Sequence, residues 1–135
     1  MMDKQLEREV RRRADERCEY CLMPEAASAL KHVVDHIIAI QHNGQTVSDN
    51  LALCCGRCNL YKGPNLAGID PATRKMVRLF NPRADEWKEH FRWEGATAVG
   101  VTEIGRATIA VLMINKPYRV AARQAVMEVG KYPPA

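Results

Sequence analysis

Two C-x-x-C pairs constrain this chain more than any other feature. Cys18 and Cys21 stand in "CEYC" and Cys55 and Cys58 in "CGRC", with 33 residues between the pairs. A tight turn within each pair aims both sulfurs at one point, so the spacing predicts a tetrahedral four-thiolate zinc site. Any fold must therefore bring residue 18 back against residue 58, and the long spacer must be a structured insert. Disulfides are not the expectation for a chain whose opening "MMDKQLEREVRRRADER" alternates charges and has no apolar core of a secretory signal. The fifth cysteine, Cys54, has no C-x-x-C partner and reads as a buried thiol.

Length and composition bound the rest. A chain of 135 residues, 47% hydrophobic and 27% charged, is expected to be one domain with its own core and no disordered bulk. No run approaches a membrane span, which excludes a membrane protein of the helical kind. The expectation is a cytoplasmic protein, compatible with a nucleoid-associated bacterial product or a phage-encoded one. The net charge of +4 suits a polyanionic partner without requiring one. The basic residues group as Arg8, Arg11, Arg12 and Arg13, then Arg74, Lys75 and Arg78, then Arg119 and Arg123. The first group is either a solvated helix face balanced by Glu7, Glu9, Asp15 and Glu16 or a DNA contact.

Local patterns predict a helix over 3–17 and a strand in "HVVDHII". A loop follows in "QHNGQTVSDN", then a short strand "LALC" and a short helix from Cys58 to Lys62 ended by "GPN". Beyond Pro64 the reading is coarser. "TAVGV" suits a strand, Thr102 suits the N-cap of a helix with Ile104, Ala107, Val111 and Leu112 on one face, and a last helix runs over 117–129.

Between the knuckles lie Asp35, His36 and Asn50, and Asn59 directly follows the second one. With four thiolates assigned to zinc, these are not needed for a second zinc site. A carboxylate and an amide oxygen are hard donors suited to Mg²⁺ or Mn²⁺. An imidazole beside such an ion is a natural general base. Metal, base and phosphate together are the equipment of phosphodiester hydrolysis. One difficulty stands: Asp35 and His36 are adjacent, and on a regular strand they point to opposite faces.

"CEYC", "VDHIIA", "NG" and "DNLALCCGRCNLYKG" resemble the HNH endonucleases of the ββα-metal class, in the subgroup embedded in a zinc ribbon. The steps of 14 residues from His36 to Asn50 and 9 from Asn50 to Asn59 fit that family's pattern. The likeness extends through "GPNLAGIDP", "FNPR", "W..HFRW.G" and "GRAT". The resemblance implies that His36 is the general base, that Asp35 is the metal ligand preceding it on a distorted strand, and that Asn50 braces the loop orienting His36. Asn59 occupies the place of the final histidine, making an HNN variant and a second ligand for Mg²⁺ or Mn²⁺ beside structural Zn²⁺. His32, His42, Lys62 and Arg57 are candidate phosphate contacts, the first three with a plainer alternative. His32 can be a solvent-facing strand residue, His42 a loop residue, and Lys62 a cation at a helix C-terminus.

The expected fold is α+β: a ββα-metal core at 18–63 clasped by the zinc site, an N-terminal helix at 3–17 and a C-terminal α/β extension at 64–135. The expected function is a metal-dependent endonuclease that nicks double-stranded DNA through backbone contacts, with little sequence specificity, as a monomer or weak dimer. The alternative is a zinc-ribbon nucleic-acid binder without catalysis, which has no need of Asp35 and His36. A protein-interaction ribbon leaves His36 and Asn59 unexplained.

Overall fold

The computed structural model describes residues 2–130 and 132–133. Helix α1 spans Lys4–Arg13, and its first turn is capped by Asp3, whose Oδ1 accepts from the Leu6 amide at 2.8 Å. Such a cap is worth about 1 kcal/mol. The charged helix buries one residue fully, Val10, against Leu51 and Leu53. It is shorter than the sequence suggests: Asp15 and Glu16 adopt positive φ (54° and 56°), reversing the chain so that Arg17 bridges Pro24 and Cys18 enters the first knuckle.

Strands β1 (Val33–His36) and β2 (Leu51–Cys54) form an antiparallel pair in which Asp35 faces Ala52 and His36 faces Leu51. Helix α2 (Gly56–Lys62) follows directly, with Cys55 as its N-cap and Gly63 as its C-cap. This is the strand, loop, strand, helix order that the sequence predicts. The connecting loop is held tightly. A Cβ on Gly44 would lie 1.7 Å from the Ile38 carbonyl oxygen, so only glycine fits there.

The remaining elements are β3 (Ala67–Ile69), β4 (Met76–Arg78), α3 (Trp87–His90), β5 (Phe91–Glu94), β6 (Thr97–Gly100), α4 (Glu103–Leu112) and α5 (Pro117–Glu128). β3 pairs with β4 and β5 with β6, both antiparallel, so helices and three small antiparallel sheets make an α+β fold. Thr102 caps α4 through its Oγ1, as the sequence suggests, and α4 packs on β3, β4 and β6. Among the described residues no helix is long and apolar enough to cross a membrane.

Polar bonds hold the C-terminal half together, and others tie it to the core. Asp70 is buried and accepts from Arg106 Nε and Nη2, both at 2.9 Å, while the Thr108 hydroxyl accepts from the Phe80 amide at 2.9 Å. Phe80 stacks edge-on with Tyr20 and Phe91, and Trp87 lies between Phe91 and Trp93. Trp87 Nε1 donates to the Tyr20 carbonyl at 2.9 Å, and the Tyr132 hydroxyl donates to the Cys21 carbonyl. Both bonds fasten the extension to the first knuckle.

The basic groups are less available than their sequence suggests. Arg119 and Arg123 are buried, because α5 packs that face inward; Arg123 lies over Trp93 and donates to the Ala96 carbonyl. Arg11 is engaged by Glu25 and the His32 carbonyl, Arg13 by Ser48 and the Leu51 carbonyl, and Arg78 by Asp85.

The Arg106 guanidinium holds the Asp70 carboxyl well below the usual carboxylate range. A group whose folded pKa is depressed stabilises the fold above its unfolded value of about 3.9. That contribution is lost as pH falls through the folded value. Asp70→Asn is expected to lower the melting temperature at pH 7 and to show a weaker further fall below pH ~4 than wild type. Thermal scans across that window measure it, and parallel curves for the two proteins would contradict it.

Candidate active site and metal centre

The four knuckle sulfurs converge. Cys18, Cys21, Cys55 and Cys58 are buried, and their Sγ atoms all lie within 4.8 Å of one another. Cys21 Sγ and Cys55 Sγ are 3.7 Å apart. Sulfurs about 2.3 Å from a tetrahedral zinc are separated by about 3.8 Å, so the donor set fits that ion. Each knuckle supports its metal-facing geometry locally: the Cys21 amide donates to Cys18 Sγ (3.5 Å) and the Cys58 amide to Cys55 Sγ (3.4 Å). Burial pushes the Cys18 and Cys58 thiols up, so a neighbouring cation is what makes their thiolates tenable. Cys54 is buried outside this set and free of disulfides, the buried thiol the sequence suggests.

A cavity of about 340 Å³ is lined by Asp35, His36 and Asn59 together with Gln41, Gly63 and Pro64. Asp35 and His36 thus reach one cleft although adjacent in sequence; His36 is the last residue of β1. Asn59 comes from α2 and completes the three. Asn50 lies behind them. Its Oδ1 accepts from the Ile38 amide (2.9 Å), and its Nδ2 donates to the Ile38 and Gln45 carbonyls (3.0 and 2.9 Å), closing the loop that follows His36. His36 Nε2 is hydrogen-bonded to Thr46 Oγ1 at 2.9 Å, so the far limb of the loop holds the ring.

Asp35 is 7% exposed and has a charged partner below it. Lys62 Nζ lies 3.0 Å from Asp35 Oδ2 and also donates to the His36 and Ile37 carbonyls. The Tyr20 hydroxyl donates to the same carboxylate oxygen at 3.2 Å. Burial pushes the Asp35 carboxyl above its ordinary value, with Lys62 pulling the other way.

The four candidate phosphate contacts are placed differently from one another. His32 precedes β1 and is 2% exposed, its Nε2 bonded to the Met23 carbonyl at 2.8 Å, so it is not the solvent-facing strand residue the sequence suggests. Its amide donates to Glu25 Oε2 at 2.7 Å, at the start of the 3₁₀ turn Glu25–Ala27. Lys62 is 2% exposed and points into the protein at Asp35, because its helix face packs on β1 rather than facing solvent. His42 is exposed in the loop. Arg57 is exposed but stacks on Tyr118, 5.3 Å from the ring centre, and does not line the cleft.

Three participants escape sequence reasoning. Tyr20 sits within the first knuckle, where its neighbours mask it. Thr46 is an ordinary loop residue with no motif spacing. Arg119, whose Nη2 donates to Cys58 Sγ at 3.0 Å, looks like a surface cation; the one hint is that α5 offers it no acidic partner before Glu128.

Protein purified without added metal is expected to contain one zinc per chain. Chelation, or Cys21→Ser, should remove the ion and lower the melting temperature on the order of 10 °C. Elemental analysis with calorimetry measures both, and a zinc-free protein with an unchanged transition would contradict the assignment.

Residues 18–65 match the family model described as HNH endonuclease. Comparisons with curated proteins and with solved structures give no match. HNH nucleases are hydrolases that act on DNA with divalent metals, and the match supports a nuclease or nucleic-acid-binding role. The likeness to the HNH endonuclease family covers residues 18–65, and the four buried cysteines there fit a zinc-binding variant of that family.

Proposed function

We propose that this protein is a metal-dependent endonuclease that hydrolyses DNA phosphodiester bonds, one strand per site. The observation that carries the reading is the meeting of Asp35, His36 and Asn59 in a single cleft. A nucleic-acid binder without catalysis has no use for that arrangement. Asp35 and Asn59 offer hard oxygen donors and would hold Mg²⁺ or Mn²⁺. Such an ion, when bound, neutralises charge on the phosphate and the departing oxygen.

The chain's own residues supply the proton chemistry. In the tautomer whose Nε2 donates to Thr46 Oγ1, Nδ1 of His36 is the acceptor that takes a proton from the attacking water. Asn50 keeps the loop closed, so the ring does not swing away. Tyr20 and Lys62 both hold Oδ2 of the Asp35 carboxylate, and Oδ1 would be the oxygen offered to the ion. In this reading residues 18–63 are the working core, and 3–17 and 64–135 support it. Little sequence specificity is expected, because a site built on phosphate carries no base information. One such site cuts one strand, so a monomer nicks.

The test is conversion of supercoiled plasmid to open circle by wild type and His36→Ala, in Mg²⁺, in Mn²⁺ and with metal chelated. Wild type should nick only with metal, and His36→Ala should be at least about 100-fold slower. Equal rates for the two proteins would remove His36 from the mechanism. Two inert proteins that still retard DNA in a salt-sensitive way would favour the non-catalytic binder.

A further inference from the structure

The guanidinium of Arg119 is 5% exposed and reaches the sulfur cluster from α5, outside the segment that matches the HNH family. Its Nη2 donates to Cys58 Sγ at 3.0 Å and lies 3.8 Å from Cys55 Sγ. Its Nη1 donates to the carbonyls of Leu112 (2.6 Å) and Met113 (3.3 Å), at the end of α4. The knuckle amides already serve Cys18 and Cys55. Arg119 makes its shorter sulfur contact with Cys58, which those amides do not serve, and its longer one with Cys55.

Four thiolates around one Zn²⁺ leave two negative charges over, in a place that water does not reach. A buried anion of that kind is costly unless a counter-charge and hydrogen bonds accompany it. We infer that Arg119 is a positioning residue of the zinc centre: it caps the Cys58 thiolate, offsets the cluster's charge and so makes zinc retention depend on the C-terminal helix pair. The inference rests on the zinc reading of the four cysteines and not on nuclease activity. The fork of the guanidinium matters as much as its charge. One arm holds the α4 carbonyls while the other meets the sulfur, which a lysine ammonium cannot do from one position.

The experiment uses the full chain as wild type, Arg119→Met and Arg119→Lys. Zinc is competed with a chromophoric chelator, and Co²⁺ is substituted to read the thiolate-to-metal absorption band. Capping a thiolate lowers its electron-donor energy, so loss of the cap should move that band to longer wavelength. The expected result is zinc affinity weakened about ten-fold or more in Arg119→Met. Arg119→Lys should fall between it and wild type, and the cobalt band should be displaced in both. A role limited to holding the α4 carbonyls would alter the melting temperature but leave the band in place, and that outcome overturns the inference. If Arg119→Met does not fold, Arg119→Lys decides: an unchanged band and affinity overturn it, and a shift in both supports it. A wild type that takes up no zinc would overturn this inference together with the zinc assignment. Tight zinc in all three proteins would overturn this inference alone.

Discussion

Four sulfurs from two distant stretches share one small volume, and the rest of the fold is arranged around that constraint. The first knuckle is held by β2, since the Glu19 amide donates to the Leu53 carbonyl and the Leu53 amide to Glu19 Oε2. The second knuckle is the N-terminus of α2. Clasping them fixes α2 against β1, and that contact is what brings Asn59 to Asp35 and His36. The structural and chemical halves of the domain are thus one geometric statement. Move Cys58 and Asn59 moves with it.

The cleft illustrates how a charged site is kept in a small core. Asp35 is covered by protein on one side, where burial alone would neutralise it. Lys62 answers with a full positive charge at 3.0 Å and spends its other donors on the carbonyls of His36 and Ile37. That is the condition under which a buried ion pair is tolerable: good geometry and satisfied protons. The same bonds tie the C-terminal end of α2 to the end of β1, so the lysine is a strut as well as a counter-charge.

The sequence was most legible where function is local. The two C-x-x-C turns, the strand–loop–strand–helix order and the Thr102 cap are short-range patterns, and the structure contains them. Three kinds of feature were not legible. The end of α1 depends on Asp15 and Glu16 taking left-handed conformations that propensity disfavours, imposed by the need to deliver Cys18. Strands β3 and β4 have three residues each, one of them Gly68, too short and too weak for a periodic signal. Burial of His32, Lys62, Arg119 and Arg123 is decided by which helix or turn closes over them, a tertiary fact that residue type opposes. For Asp35 and His36 the difficulty read from the sequence, two neighbours facing opposite ways, ends with both residues lining one cleft at the end of β1.

In the proposed function two metals divide the labour: zinc in the sulfur cluster as scaffold, and a hard divalent ion in the cleft for chemistry. Anomalous diffraction from crystals soaked in Mn²⁺, recorded at the zinc and manganese edges, tests it most directly. The expected result is a zinc peak among Cys18, Cys21, Cys55 and Cys58 and a separate manganese peak bound by Asp35 and Asn59 beside His36. Manganese absent from the cleft, or bound away from Asp35, would contradict it.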